Sequence, residues 1–152
     1  QASAQSEILA RILNYWQPYH SAIQQSLESI KKEHGKALLF EAHSIKSIVP
    51  RFFEGKLTDF NFGNYNNRSC GAKLTEIINQ WQPKGYSKVM NGRFKGGYIT
   101  RQYGLPESGI HSVQLELSQA TYMDEERLSY DEKKANRVKS ELSSMLQRFQ
   151  LF

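Results

Sequence analysis

Two side chains in this 152-residue sequence have the type and the setting expected of a group that does chemistry, His43 and Glu116. His43 comes just after the apolar run Ala37–Phe40, which predicts a short strand buried on both faces of a sheet. An imidazole at the end of such a strand can ligate a metal or transfer a proton, although a lone histidine is more often structural. Glu116 lies in an alternating run and shares a predicted strand face with Gln114. A carboxylate there either pairs with an arginine or acts as a general base, and the residue alone leaves both interpretations open.

Three arginines, Arg51, Arg93 and Arg101, lie beside glycines, a proline or aromatic residues in segments that predict long loops. Arginine binds carboxylates through two parallel hydrogen bonds. Arg93 and Arg101 bracket the segment FKGGYIT, whose glycines allow a ligand to approach the backbone closely. Long loops in a compact domain are usually functional, which favours a binding role over the alternative of surface arginines.

The net charge of +5 is concentrated in the middle of the chain. From Lys46 to Arg101, ten Lys and Arg residues and three acidic residues give +7, and the rest of the chain sums to −2. Such a field favours an anionic ligand, either a small acid or a nucleic acid. The alternative is a solvated basic face.

Composition limits metal and thiol chemistry. None of the four histidines forms a pair with the i, i+4 spacing of a helical zinc motif, and the sequence does not show the three protein ligands of a catalytic zinc site. The single cysteine, Cys70, excludes an internal disulfide and a cysteine-rich zinc site. It mildly favours a reducing compartment and is predicted to be a small buried residue.

Composition and hydropathy predict one soluble domain over residues 1–152, located in the cytoplasm. Hydrophobic residues make up 39% of the chain and charged residues 23%, as in ordinary globular proteins. No window reaches the roughly 18 consecutive apolar residues of a membrane span, and the first residues lack the pattern of a secretory signal. We therefore expect no membrane partner.

Alternating helix and strand patterns predict an α/β domain with a mixed, mainly parallel sheet, whose ligand sites gather at the carboxyl ends of strands. Residues 6–33 predict a helix whose apolar stripe faces one core, with a kink or a restart at Pro18 and a glycine cap at Gly35. The other predicted elements are strands at ALLF, DFNFG, YSKVM and HSVQLELS, a helix from the cap Ser69 through Gln82, loop and hairpin over residues 91–109, and a last helix opened by a capping box of Ser129 and Glu132.

Three segments carry a resemblance to a known family: FEAHSIKSIVPRFFEGKLTDFNFGN, NGRFKGGYITRQYG and QLELSQATYMDE. With YWQPYH in the first helix, they resemble the N-formylglutamate deformylase (N-formylglutamate amidohydrolase) family over essentially the whole chain. The resemblance implies hydrolysis of N-formyl-L-glutamate to formate and L-glutamate, the last step of one bacterial route of histidine degradation. It also implies a three-layer α/β sandwich of the phosphorylase/hydrolase-like type, shared with zinc carboxypeptidases and aspartoacylase.

The resemblance implies roles for particular residues. His43 matches the family's A-H-S histidine and is expected to ligate a divalent metal ion, zinc, with cobalt or another divalent ion as alternatives. Glu116 is expected to be the general base, by analogy with the carboxypeptidase-like relatives. The expected ligands of a dianionic small-molecule substrate are Arg51, Arg93 and Arg101, with Asn91 as a polar helper.

Family members have a further N-terminal stretch, with a P-H-(S/A)-G motif and an acidic segment that are expected to supply the first metal ligands. This sequence contains neither. We therefore expect an N-terminally truncated catalytic domain that holds one metal ligand of about three and is inactive alone. A missing strand would leave a sheet edge through which the chain self-associates.

Two other functions stay open from the sequence. One is a related amidohydrolase that acts on another N-acyl amino acid. The other is a non-catalytic basic module that binds anions or nucleic acid. The cations are spread among glycine loops and helices instead of forming a continuous stripe, so nucleic acid is not the expected partner.

Overall fold

The computed structural model describes residues 4–152. The chain divides into two compact units, one ending at Ala37 and the other covering Leu38–Phe152. The single domain over residues 1–152 stays a prediction. None of the helices in residues 4–152 has the length and the hydropathy that a membrane crossing requires.

The first unit is helical, as its apolar periodicity predicted. It consists of α1 (Gln5–Arg11), a π-helical stretch (Ile12–Trp16) and α2 (Gln17–His34). Pro18 lies in the first turn of α2, directly after the π-helical stretch, and Trp16 and Gln17 keep right-handed helical angles, so the backbone stays helical up to the proline. Gly35 ends α2 in the left-handed conformation, with φ of 80°, and its N–H donates to the carbonyl oxygen of Lys31 at 2.7 Å. The glycine cap is therefore confirmed.

The apolar residues of this helix are exposed along its first half, and the expectation that the stripe faces one core stays a prediction. α1 and the π-helical stretch contain no buried residue, and Trp16 is half exposed. Leu27 is the first residue of the described helix to be buried. The periodicity reports that an apolar face exists but says nothing about what covers it.

The second unit is built on a mixed four-stranded sheet in the order β1-β4-β2-β3. Strands β2 and β3 pair in parallel, whereas β2 and β4 are antiparallel. The α/β class and the mixed sheet are therefore confirmed. The strands are β1 (Ala37–Ile45), β2 (Phe60–Gly63), β3 (Lys88–Met90) and β4 (Ile110–Ser118), and a separate ribbon pairs β5 (Met123–Asp124) with β6 (Ser129–Tyr130).

Alternation along the strands gives the sheet one apolar face and one polar face. In the β2/β4 pair, Phe60 lies opposite Leu117 and Phe62 opposite Leu115, and all four side chains enter the core. Trp81 packs edge-on against both phenylalanine rings, with centroid distances of 5.3 and 6.1 Å. The core is completed by residues from α3 (Ala72–Gln80) and α5 (Glu132–Phe149), among them Leu74, Ile78, Val138, Met145 and Phe149.

Several predicted boundaries move. β1 continues through Ile45 and is an outer strand with mostly half-buried residues, so burial on both of its faces is wrong. Residues 91–109 contain the short helix α4 (Tyr98–Tyr103), which the loop prediction missed, and the predicted hairpin is limited to a tight turn in which Leu105 and Ile110 exchange both backbone hydrogen bonds. Neither predicted serine cap forms. Gly71 precedes α3, and Asp131 caps α5 by accepting the N–H of Lys134 at 2.9 Å.

Candidate active site

The polar face of the sheet brings together side chains that are far apart in sequence. In the antiparallel register, Asn61 lies opposite Glu116 and Gly63 opposite Gln114, on the face away from the core phenylalanines. On β1, Glu41 and His43 are two residues apart and bond to each other, so they share one side of their strand. β1 and β4 are adjacent strands, and a Cβ built on Gly97 would lie 3.3 Å from Oε1 of Gln114 and 3.9 Å from Oε1 of Glu41, so the β1 and β4 groups are neighbours.

Glu116 is a buried carboxyl group, 8% exposed, in the fully buried strand β4. Nε2 of Gln114 donates to its Oε2 at 3.4 Å, and Asn61 donates to its main-chain oxygen at 3.0 Å. Burial raises the pKa of Glu116 above its ordinary value, while His43 and the Gln114 hydrogen bond act to lower it and the Glu41 carboxylate to raise it. A carboxyl with a raised pKa is suited to taking up and returning a proton near neutral pH.

His43 lies inside β1, two residues before its end, with its side chain 47% exposed. Its Nε2 is 2.9 Å from Oε1 of Glu41. The other oxygen of Glu41 accepts hydrogen bonds from the backbone N–H of Thr100, at 3.1 Å, and from its hydroxyl. One carboxylate therefore joins the imidazole on β1 to the first turn of α4.

The glycines before α4 let the helix approach the sheet. Gly97 donates its N–H to Oε1 of Gln114 at 2.6 Å. A Cβ built on Gly63 would lie 2.4 Å from the backbone nitrogen of Gly96, closer than any real contact. A side chain on β2 at this point would push the loop off the sheet. The segment FKGGYIT, which the sequence predicted to be loop and hairpin, is therefore close to the polar face.

Arg101 belongs to α4 and borders this face. Its Nε donates to the carbonyl oxygen of Gly96 at 2.8 Å. Its guanidinium group lies 5.3 Å from the ring centroid of Tyr65, and that of Arg68 lies 5.2 Å from the same ring. Tyr65 follows β2 in the left-handed conformation, with φ of 53°, which is uncommon for a non-glycine residue. An aromatic ring thus holds two cations next to the loop that covers Gly63.

Asn91 directly follows β3, as predicted, and its side chain is engaged in holding a loop. Its Oδ1 accepts the backbone N–H groups of Asn64, at 3.0 Å, and Asn66, at 3.3 Å, while its Nδ2 donates to the side chain of Asn64 at 2.6 Å. The amide fixes the turn after β2, including Tyr65. Its role in substrate binding stays a prediction.

Arg51 and Arg93 are exposed, and neither forms a salt bridge within residues 4–152. Arg51 lies in the turn after β1, with its guanidinium 5.9 Å from the ring of Phe52. Arg93 lies in the loop after β3. Their contribution to binding stays a prediction.

The described residues do not form a complete metal site. Within residues 4–152, no cluster of three or more His, Cys, Asp or Glu side chains could hold a metal ion. A catalytic metal needs about three protein ligands, and this face offers the one imidazole of His43. The expectation of one ligand in this chain is compatible with that geometry but stays a prediction.

Sequence reasoning selected His43 and Glu116 and missed Glu41 and Thr100. A signal for Glu41 was present, because residues two apart on a strand share a face, so the E-A-H spacing places a carboxylate beside the imidazole. No local signal marked Thr100, since its contact with Glu41 joins positions 59 residues apart in the chain.

Buried carboxyl groups with a raised pKa beside an imidazole–carboxylate pair cluster at functional sites, which makes this face the candidate site of the chain. The family model of N-formylglutamate amidohydrolase matches residues 1–123. The chain belongs to the N-formylglutamate amidohydrolase family.

The curated relatives include two bacterial proteins of that family. N-formylglutamate deformylase of Pseudomonas putida is 47% identical over 135 residues, which cover 87% of this chain and 51% of that protein. The Pseudomonas aeruginosa enzyme of the same name is 48% identical over 127 residues, or 82% of this chain and 48% of the relative. The chain thus spans about half the length of the curated relatives it matches.

A solved structure supports the fold. The crystal structure of N-formylglutamate amidohydrolase from Ralstonia eutropha JMP134 superimposes with a TM-score of 0.76, covering 96% of this chain and 53% of that one. The two sequences are 24% identical, so this likeness concerns the fold alone. The three-layer, zinc-carboxypeptidase-like subtype stays a prediction.

Proposed function

We propose that this chain is part of an enzyme that hydrolyses N-formyl-L-glutamate to formate and L-glutamate. The observation that carries the proposal is the buried Glu116 carboxyl on the same sheet face as the His43–Glu41 pair, in a chain of the N-formylglutamate amidohydrolase family. The names of the Pseudomonas relatives support the choice of substrate.

Glu116 is proposed to move the proton. In its ionised form it removes a proton from the water that attacks the formyl carbon. When the carbon–nitrogen bond breaks, the same carboxyl returns that proton to the leaving nitrogen, which gives formate and the free amino acid. Its raised pKa favours the return step, because the protonated carboxyl is more stable in this setting than in water.

Cationic side chains are proposed to bind the two carboxylates of the substrate. Arg101 is the best placed, because its hydrogen bond to Gly96 and its cation–π contact with Tyr65 fix it beside the loop over the polar face. Arg51, Arg93 and Asn91 are proposed as further anchors. The substrate is a small dianion in this proposal, and nucleic acid is not a partner.

A divalent metal ion, zinc or alternatively cobalt, is proposed for the full-length enzyme, with His43 as one ligand. Such an ion supplies Lewis acidity toward the formyl oxygen. The other metal ligands have to come from another part of the full-length enzyme, because residues 4–152 contain no group of three His, Cys, Asp or Glu side chains that could hold a metal ion. We therefore expect the 152-residue chain alone to be inactive.

The test compares the 152-residue chain with a full-length version in which its family's other half is present. Formate release from N-formyl-L-glutamate is measured with added zinc or cobalt. We expect turnover only in the longer protein, with kcat lowered roughly 10²–10⁴-fold by Glu116→Gln. Glu126→Gln, at an exposed position, is the matched control.

Two outcomes would contradict the proposal. Glu116→Gln activity equal to that of the unmodified protein would remove Glu116 as the base. Turnover of other N-acyl amino acids without turnover of N-formyl-L-glutamate would assign the chain to a related amidohydrolase. For the anchors, Arg101→Gln is expected to raise KM more than the exposed control Arg127→Gln, because only Arg101 borders the polar face.

A further inference from the structure

The carboxylate of Glu41 accepts an unusually large number of hydrogen bonds for a side chain on a half-exposed strand. Its side chain is 13% exposed, and three donors converge on it: Nε2 of His43 at 2.9 Å, the N–H of Thr100 at 3.1 Å, and the hydroxyl of Thr100. Desolvating a carboxylate is costly unless its lone pairs are used, and these three bonds use them. The contact is therefore a built feature and not an accidental surface pair.

The first function of this carboxylate is to cap α4. The helix begins after Gly97, which has no side chain to accept the unpaired N–H groups of the first turn. Glu41 accepts the N–H of Thr100, the third residue of the helix, as a capping side chain does. Because the cap comes from β1, it fixes α4, and with it Arg101, relative to the strand that carries His43.

The second function concerns the imidazole. An ionised carboxylate can only accept hydrogen bonds, so Nε2 of His43 has to carry the proton. The lone pair of the neutral ring then lies on Nδ1, which makes no hydrogen bond within residues 4–152. The ring cannot turn over without losing the Glu41 bond, so this nitrogen is held in one direction.

We propose that Glu41 is a positioning residue that fixes His43 as the Nε2–H tautomer, presenting the Nδ1 lone pair to the site, and holds α4 in register with it. The role of His43 in the reaction rests on the proposed function, but its tautomer does not. The tautomer is a property of this chain that can be measured in the absence of turnover.

The experiment is a long-range ¹H–¹⁵N spectrum of the histidine rings in the 152-residue chain, recorded well above the titration of imidazole. We expect His43 to show the Nε2–H pattern. In Glu41→Gln the amide oxygen can still accept from Thr100, while its NH₂ group faces the ring, so Nε2 becomes the acceptor and the tautomer inverts to Nδ1–H. The inversion is the signature that a merely structural role for Glu41 does not produce.

Two matched variants act as controls. Glu33→Gln changes a carboxylate beside the exposed His34, at 3.7 Å, and is expected to leave the tautomer of His34 unchanged. Thr100→Val removes one donor to Glu41 and is expected to leave His43 as Nε2–H. A folded Glu41→Gln chain with an unchanged His43 pattern would overturn the proposal. An Nδ1–H pattern for His43 in the unmodified chain would also overturn the proposal, and this measurement does not depend on whether a variant folds. Absence of formate release would count only against the proposed function.

Discussion

Glu116 is a single residue whose ionisation is expected to limit the stability of the chain. Its pKa in the folded state is raised, so the unfolded state ionises first as the pH increases. At a pH below the ordinary pKa of a glutamate, Glu116 is protonated in both the folded and the unfolded state, so its burial lowers the free energy of unfolding only slightly. As the pH rises through the raised pKa, the folded state has to bury a charge and its relative stability falls.

We therefore predict that Glu116→Gln raises the melting temperature at neutral pH and that the gain disappears at acidic pH. Thermal unfolding at a series of pH values measures the effect. Glu126→Gln, which removes an exposed carboxylate, should give a flat difference across the same range. A Glu116→Gln variant that is less stable than the parent at neutral pH would show that the charged form is favoured in the fold.

Glu116 and His43 could be selected from sequence because their types are unusual for their local setting: a carboxylate in an apolar strand and an imidazole beside an apolar run. What they bond to depends on neighbours from distant segments. The capping of α4 by Glu41 and the link from Gln114 to Gly97 exist only after β1, β4 and α4 have packed, and no local pattern encodes them.

At the scale of elements, Lys88 ties β3 to the end of α3. Its ammonium group donates to the carbonyl oxygens of Ile78 at 2.6 Å, Asn79 at 2.9 Å, and Trp81, which the helix leaves without partners. Burial lowers the pKa of Lys88, which shows that part of this gain is offset by desolvation.

We predict that Lys88→Met destabilises the protein by about 2 kcal/mol, because it removes the donor to the carbonyl oxygens of Ile78 and Trp81 while keeping the aliphatic stem; the oxygen of Asn79 still accepts from the Gln82 side chain. Denaturant unfolding measures the change. The same substitution at the exposed Lys56 is expected to be nearly neutral. Equal losses at the two positions would mean that the cap contributes nothing.

The contact between β2 and the loop before α4 makes a second prediction. A methyl group on Gly63 meets the backbone of Lys95 and Gly96 at 2.6 Å or less, and backbone cannot rotate away as a side chain can. Gly63→Ala is therefore expected to cost about 3 kcal/mol. A methyl group on Gly55 would meet no other atom, and the only obstacle there is the left-handed φ of 70°. Gly55→Ala is therefore expected to destabilise the protein by about 1 kcal/mol. Unfolding midpoints of the two variants separate the effect of steric crowding at Gly63 from that of backbone strain at Gly55. A smaller loss of stability for Gly63→Ala than for Gly55→Ala would show that the loop before α4 moves to make room for the methyl group.

Elements with a strong periodic pattern were predicted well, whereas a short helix and the capping residues were not. The long helix and β4 have repeats that hold over many residues, and their predicted extents are close to those observed. The six-residue α4 is too short for a period to emerge, and its cap comes from another strand. Ser69 and Ser129 looked like caps, but Ser69 donates to the carbonyl oxygen of Ser112 and Ser129 pairs in the β5/β6 ribbon. Tertiary bonds overrode the local preference at both positions.

For the whole molecule, the outer position of β1 has a consequence for association. In the described sheet β1 has β4 as its one neighbour, so its other edge is open to pairing. We predict concentration-dependent self-association of the 152-residue chain, measured by sedimentation velocity. Ala42→Lys places a charge on the exposed part of β1 and is expected to reduce it, whereas Ser143→Lys on α5 is not. A chain that stays monomeric at all concentrations would contradict this expectation.

The position of β4 between β1 and β2 also sets the order of events during synthesis. β1 and β2 leave the ribosome before β4, yet they do not pair with each other, because the strand that lies between them in the sheet begins only at Ile110. The segment between β1 and β4 must lose conformational entropy before the contacts between these strands can form, and this slows folding. β1 can therefore pair with β4 only after more than sixty further residues have been made, and the polar groups of β1 and β4 meet only when the central strand inserts. Chaperone dependence of the nascent protein should accordingly be greatest in the interval between the emergence of β1 and that of β4.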